Sequence, residues 1–84
     1  MGDFSAANNI GVIWRDRGNL GRALQWFQKA VEAGDGDANL EIAKVYLGKG
    51  QADKAIPYLA QTCKSPWATD LSKEEARQLL RATR

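Results

Sequence analysis

The feature that most restricts this chain is that it repeats itself. Residues from Ala6 align without a gap on residues from Ala38. Ile10 falls on Ile42, Gly11 on Ala43, Trp14 on Tyr46, Gly18 on Gly50, Ala23 on Ala55 and Phe27 on Leu59, each 32 positions later. Matched size and polarity at a constant offset point to units that stack on one another. A chain of 84 residues holds two such units and one further element.

Each unit reads as two helices. Ala7, Ile10, Gly11 and Trp14 recur at the three-and-four spacing of one helical face. Gly18 predicts a stop, because glycine takes the left-handed conformation cheaply, and Asn19 can cap a second helix. Leu20, Ala23, Leu24, Phe27, Ala30 and Val31 form the stripe of that helix, which Gly34 ends. Leu40, Ile42, Ala43, Tyr46 and Leu47 mark a third helix that stops near Gly48 and Gly50. Ala52, Ala55, Ile56 and Leu59 mark a fourth, in which Pro57 predicts a bend. Residues 64–69 form a loop in which Trp67 is expected to cover the join between the fourth helix and a fifth. Ser72, three residues before Glu75, reads as the capping box that opens this fifth helix, striped by Ala76, Leu79 and Leu80.

The run Ile10-Gly11-x-x-Trp14, then Ala23-x-x-x-Phe27-x-x-Ala30, repeated as Ile42-Ala43-x-x-Tyr46 and Ala55-x-x-x-Leu59-x-x-Thr62, resembles the tetratricopeptide repeat. Residues 22–35 also resemble the second helix and Gly-Asp exit of its SEL-like cousin. Two departures stand out. The leading bulky position holds Ala7 and Asn39, and the period is 32 where that family has roughly 34. The resemblance implies an all-α fold: a right-handed α-α superhelix of two helix–turn–helix repeats plus one C-terminal helix, five helices in all. One domain is expected over residues 4–83, with repeat one about 4–35, repeat two about 36–66 and a capping helix about 71–83.

The physical logic of the pattern is close approach. Small residues at Gly11, Ala23, Ala43 and Ala55 let helix backbones meet, and Trp14, Phe27, Tyr46 and Leu59 fill the space beside them.

The resemblance further implies that the first helix of each pair lines a concave groove. Its positions fall on Ser5, Asn8, Asn9, Val12 and Arg15, then on Asp37, Leu40, Glu41, Lys44 and Leu47. Spacing places Asn8, Val12 and Arg15 on one face, and Leu40, Lys44 and Leu47 on another. Amides there suit a peptide backbone, Arg15 and Lys44 suit carboxylates, and Val12, Leu40 and Leu47 suit an apolar anchor. The plainer reading of the same residues is a solvated helix face. Asn8 and Val12 stand where some relatives clamp a C-terminal carboxylate, so that specificity does not carry over.

Composition narrows the function. Twelve Lys plus Arg against ten Asp plus Glu give a net charge of +2, too balanced to draw the chain to nucleic acid or an anionic membrane. Lys73, Arg77, Arg81 and Arg84 gather late, yet no aromatic interleaves them, which disfavours nucleic acid. Histidine is absent, which removes the commonest general base and the Ser–His and Cys–His nucleophile pairs. Cys63 is the single cysteine, read as a structural thiol. Asp35, Asp37 and Glu41 lack the glycine and glutamate register of a calcium loop. The first residues lack the basic start and apolar run of a secretory signal. No enzyme activity, metal or cofactor is expected. Trp14 and Trp26 are expected to pack rather than to anchor a partner.

The expected function is a protein–protein interaction module, an adaptor or scaffold that takes a peptide or protein segment in the groove. The alternative is a self-associating repeat unit, or part of a longer array. A cytoplasmic setting is the default expectation, with no membrane partner.

Overall fold

A computed structural model describes residues 4–83, with the side chains of Phe4 and Ser5 outside the described set. Five helices succeed one another and no strand occurs among the described residues: α1 (Phe4–Asp16), α2 (Leu20–Glu32), α3 (Ala38–Gly48), α4 (Ala52–Lys64) and α5 (Asp70–Thr83). Each helix packs on its neighbours in the sequence, α1 on α2, α2 on α3, α3 on α4 and α4 on α5. This is the right-handed superhelix of two hairpins and a closing helix that the repeat implies.

Three turns are built alike. Gly18, Gly34 and Gly50, spaced 16 apart, have φ values of 86°, 102° and 75°. At each, the glycine N–H and the next N–H turn back onto carbonyls of the preceding helix. Gly18 N donates to Arg15 O and Asn19 N to Trp14 O, both at 2.9 Å. Asp35 N donates to Ala30 O and Gln51 N to Tyr46 O in the same way. This double closure needs a left-handed residue, which glycine supplies without a Cβ penalty. Sixteen residues further on stands Pro66, and there α4 leaves through an extended Ser65 instead (φ −72°, ψ 126°). Asn19 caps α2, its side chain accepting from Arg22 N at 3.1 Å.

Two expectations are corrected at the later helices. Ser72 does not open α5. The cap is Thr69, whose hydroxyl accepts from Ser72 N at 3.2 Å while its carbonyl accepts from Lys73 N at 3.0 Å. Thr69 wins because Asp37 Oδ1 receives its N–H at 2.9 Å and fixes the chain there. Glu75, needed for the expected capping box, is drawn instead to Lys44. Trp67 covers no helix join and is 74% exposed. Helix α4 runs as one element through Pro57, whose ring lies exposed.

The close approaches occur as the small residues require. Gly11 is buried, and a Cβ there would lie 2.6 Å from Cδ1 and Cε1 of Phe27. Ala23, Ala43 and Ala55 have no exposed surface, nor have Phe27 and Leu59. One core cluster joins Ala23 and Phe27 of α2 to Ile42 and Val45 of α3. A second joins Leu40 and Ala43 of α3 to Ala55 and Leu59 of α4 and Ala76 of α5. Tyr46 and Tyr58 pack against both clusters, their rings stacked 5.7 Å apart, so the two cores are continuous.

The two inter-hairpin loops touch each other directly. A Cβ on Gly36 would run into Ser65 Oγ and would lie 2.5 Å from Ala68 N and 2.8 Å from Trp67 C. Main chain therefore meets main chain at the junction, and the Asp37–Thr69 hydrogen bond stitches the same place.

Helix α5 docks on α4 as α3 docks on α2, shifted by two positions from the 32-residue repeat. Ala76 meets Ala55 and Leu59, as Ile42 meets Ala23 and Phe27. With that offset of 34, Glu74, Arg77, Leu80 and Arg81 stand where α3 has Leu40, Ala43, Tyr46 and Leu47. The position that is small in α1 and α3, Gly11 and Ala43, is arginine in α5.

Candidate partner-binding groove

The first helices of the hairpins and α5 are tied on one side by a ladder of charges. Arg15 of α1 pairs with Glu41 of α3 (Nη1 to Oε2, 2.5 Å), and Lys44 of α3 with Glu75 of α5 (Nζ to Oε2, 2.8 Å). Lys44 also lies 3.8 Å from Glu41 Oε1, one turn away on its own helix. Glu41 is thus shared by two cations, and its side chain keeps 18% of its exposure. Two cations and two anions leave this face close to neutral. Opposite charges held this near a protein surface attract by a few kcal/mol before desolvation and side-chain entropy reduce the net gain to about 1 kcal/mol or less each.

The ladder changes what the residues named from the sequence can offer. Arg15 and Lys44, expected to receive a partner's carboxylates, are already paired. Leu40, expected as an apolar anchor, is a core residue at 3% exposure beside Ala43 and Leu59 and has no face to present. Val12 and Leu47 are half-buried, each packed on the edge of a core cluster with part of its surface open. Asn9 is exposed. The side chain of Ser5 lies outside the described residues.

Asn8 faces inward to the hairpin junction. Its side chain donates a hydrogen bond to Asp35, which is 7% exposed, and its own Oδ1 is buried without a hydrogen-bond partner. Burial raises the Asp35 pKa above the ordinary carboxylate value, and the nearby Asp37 charge adds to this. Hydrogen bonds from Asp37 N–H, at 3.0 Å, from Asn8 and from Ala38 N–H pull it back. Asp35 and Asn8 hold the start of α3 and belong to the junction. Asp37, too, is occupied with Thr69.

Sequence reasoning misses Glu75. It lies 34 positions after Glu41, and a search at a fixed offset of 32 passes over it. Once the two-position shift of α5 is known, Glu41 and Glu75 are seen to be equivalent, each receiving a cation from the previous first helix.

The other candidates lie away from the ladder. Trp14 is half-buried on the first core cluster with the Arg22 guanidinium 4.9 Å from its ring centre, and Trp26 is half-buried under Lys29 Nζ at 4.5 Å. Cys63 is half-buried with its Sγ 3.9 Å from Lys73 O. A recess of about 270 Å³ at the loop edge is bordered by Val31, Asn39, Gln61, Lys64 and Trp67, and one of about 430 Å³ lies on α5 beside Arg77, Leu80 and Arg81. Neither includes a member of the ladder. Among the described residues no group of three His, Cys, Asp or Glu could hold a metal ion, and no helix is long and apolar enough to cross a membrane.

Comparison with known families agrees with the helical pattern. Residues 4–33, which are α1, its turn and α2, match the family model described as tetratricopeptide repeat. The match is to the tetratricopeptide repeat and does not show the SEL-like subtype resembled by residues 22–35, whose Gly34-Asp35 exit lies beyond it, as does the second hairpin. No curated protein and no solved structure matches the chain. Tetratricopeptide repeats are non-enzymatic modules that mediate protein–protein interaction.

Proposed function

We propose, for a chain that carries a tetratricopeptide repeat in residues 4–33, an adaptor role in which one face of α1, α3 and α5 receives an extended or helical segment of a protein partner. Residues 4–83 act as one domain in this reading, because Tyr46 and Tyr58 make its two cores continuous.

The observation that carries the reading is the charge ladder. It lines up three helices on one side and leaves Asn9, Val12 and Leu47 beside it with surface to offer. Because Arg15 and Lys44 are paired within the molecule, a partner's carboxylate must displace Glu41 or Glu75 before it gains anything. The face therefore favours a segment of low charge. Such a segment is held by main-chain hydrogen bonds to amides such as Asn9 and by apolar side chains against Val12 and Leu47.

The test is site-specific photocrosslinking. A benzophenone amino acid is placed at Asn9 on this face, or at the exposed Gln25 of α2 as a control. The adaptor reading expects protein adducts at position 9 that are absent at position 25. Equal labelling at both positions, or none at position 9 with the fold intact by circular dichroism, removes it.

A further inference from the structure

The three glycine turns share one backbone but not one charge pattern. Arg17 and Arg22 flank Gly18, and Lys49 and Lys54 flank Gly50 at the same places 32 residues on. Around Gly34 those two places hold Ala33 and Ala38, and the charges of that loop are Asp35 and Asp37. The turn geometry therefore does not call for the cations. Helix stability does not call for Arg22 and Lys54 either. Both sit in the first turn of their helices, α2 and α4, where the positive end of the helix dipole repels a cation. Helix α2 has no acidic residue there to offset it. All four cations are exposed, and among the described residues none of them has a carboxylate within ion-pair distance. The Arg22 and Arg17 guanidiniums lie 4.9 Å and 6.0 Å from the centre of the Trp14 ring. An indole positions a guanidinium without using up the N–H fork that grips carboxylates. Arg15 of α1 reaches Glu41 of α3, so the hairpins stack side by side and the two turns fall on one edge.

We infer that the edge formed by the α1–α2 and α3–α4 turns is a docking surface for an acidic segment of a protein partner. Asp or Glu side chains of that segment pair with Arg17 and Arg22 on one hairpin and with Lys49 and Lys54 on the next. The chemistry of the edge favours a peptide over other polyanions. Asp16, whose side chain is 72% exposed, and the exposed Asp53 stand among the cations. A nucleic acid or an anionic lipid surface brings negative charge at every step and meets both aspartates. A peptide sets neutral residues against them. Single-stranded nucleic acid also stacks its bases on aromatic rings, and the rings at these turns are engaged. Trp14 is half-buried beside the two guanidiniums, and Tyr46, its equivalent, is stacked on Tyr58. None of the four cations belongs to the Arg15–Glu41 and Lys44–Glu75 ladder, so this surface does not rest on the adaptor reading of the α1, α3 and α5 face.

The probe is a peptide of alternating Glu and Ser, about twelve residues long so that it spans both turns, with a Gln and Ser peptide as control. It is titrated into the isotope-labelled full chain at about 0.1 M salt and followed by amide chemical shifts. The expected result is saturable shifts centred on residues 17–22 and 49–54 with the Glu peptide and none with the Gln peptide. An Arg22→Glu, Lys54→Glu variant should raise the dissociation constant at least about ten-fold. It should keep its helices by circular dichroism, because a carboxylate suits the first turn of a helix, and Arg22→Gln, Lys54→Gln serves if it does not. A Lys64→Glu, Lys73→Glu variant makes the same change in net charge at the opposite edge and should weaken binding by less than about two-fold. The inference is overturned if no saturable shift appears up to about 5 mM peptide, or if both variants lose binding equally. It is equally overturned if polyuridylate or phosphatidylserine vesicles, at matched charge, bind this edge more tightly than the Glu peptide.

Discussion

The ring of Phe27 occupies the place where a side chain on residue 11 would begin: its Cδ1 and Cε1 atoms lie 2.6 Å from the position of a Cβ on Gly11. The first hairpin closes because α1 offers no side chain there and α2 offers a flat one. Gly11→Ala separates two effects of opposite sign. In an open helix the change would stabilise by about 1 kcal/mol. Here the added methyl has no room, and overpacking costs about 1–3 kcal/mol. The expected net is a loss of up to about 2 kcal/mol in urea unfolding, and a gain would show that the hairpin spreads freely.

Gly36→Ala should cost more for its size than any other single methyl. Two of the atoms facing the new Cβ are main chain, Ala68 N at 2.5 Å and Trp67 C at 2.8 Å, and cannot rotate aside. A loss of about 2 kcal/mol is expected, which in a domain of this size lowers Tm by roughly 8–16 °C. Differential scanning calorimetry measures it.

Replacing Glu41 with glutamine leaves Arg15 and Lys44 without their shared anion. The loss should be about 1 kcal/mol at low salt and should shrink towards zero near 1 M salt, where the pairs are screened. A salt-independent loss would mean that Glu41 acts through packing.

Asp35 should make stability fall as pH rises. Burial raises its folded pKa, so the folded state holds the proton at pH values where the unfolded chain has released it. The cost of ionising Asp35 is absent in acid and fully present above the folded pKa. Asp35→Asn keeps the acceptor for Asp37 N–H and removes that cost, and should equal or exceed the unaltered chain in Tm at pH 7. Its advantage should narrow as the pH falls towards the ordinary carboxylate range. Asp35→Ala, which loses the acceptor for Asp37 N–H, should cost about 1 kcal/mol.

Trp67→Ala should be nearly silent in stability, within about 0.5 kcal/mol. It should remove the most red-shifted part of the tryptophan emission, because Trp14 and Trp26 are half-buried while Trp67 is 74% exposed.

These cases separate what residue pattern can tell from what it cannot. The hairpins are legible because each helix ends on a glycine at a fixed spacing and each close contact needs a small residue. Leu40 is not, because its place on the helix lies between the stripe facing α4 and the face expected to bind a partner, and only packing decides between them. Thr69 and Ser72 are both good caps, and the choice is made by Asp37, 32 residues away from Thr69. Trp67 occupies the loop position that Asp35 holds in the first loop. Gly36 lies directly against Ser65 and Ala68 there, and the indole stays 74% exposed. The ladder's pairing is hidden because α5 is shifted by two residues against the repeat.

The junction at Gly36 carries a consequence for how such a molecule diversifies. The loop that joins its hairpins is set against the loop before α5 by main-chain contact, among atoms common to every residue. The bend of the superhelix is thus inherited separately from the chemistry of the face that α1, α3 and α5 present. Substitutions among Asn9, Val12 and Leu47 can alter what that face accepts while the frame that displays it keeps its shape.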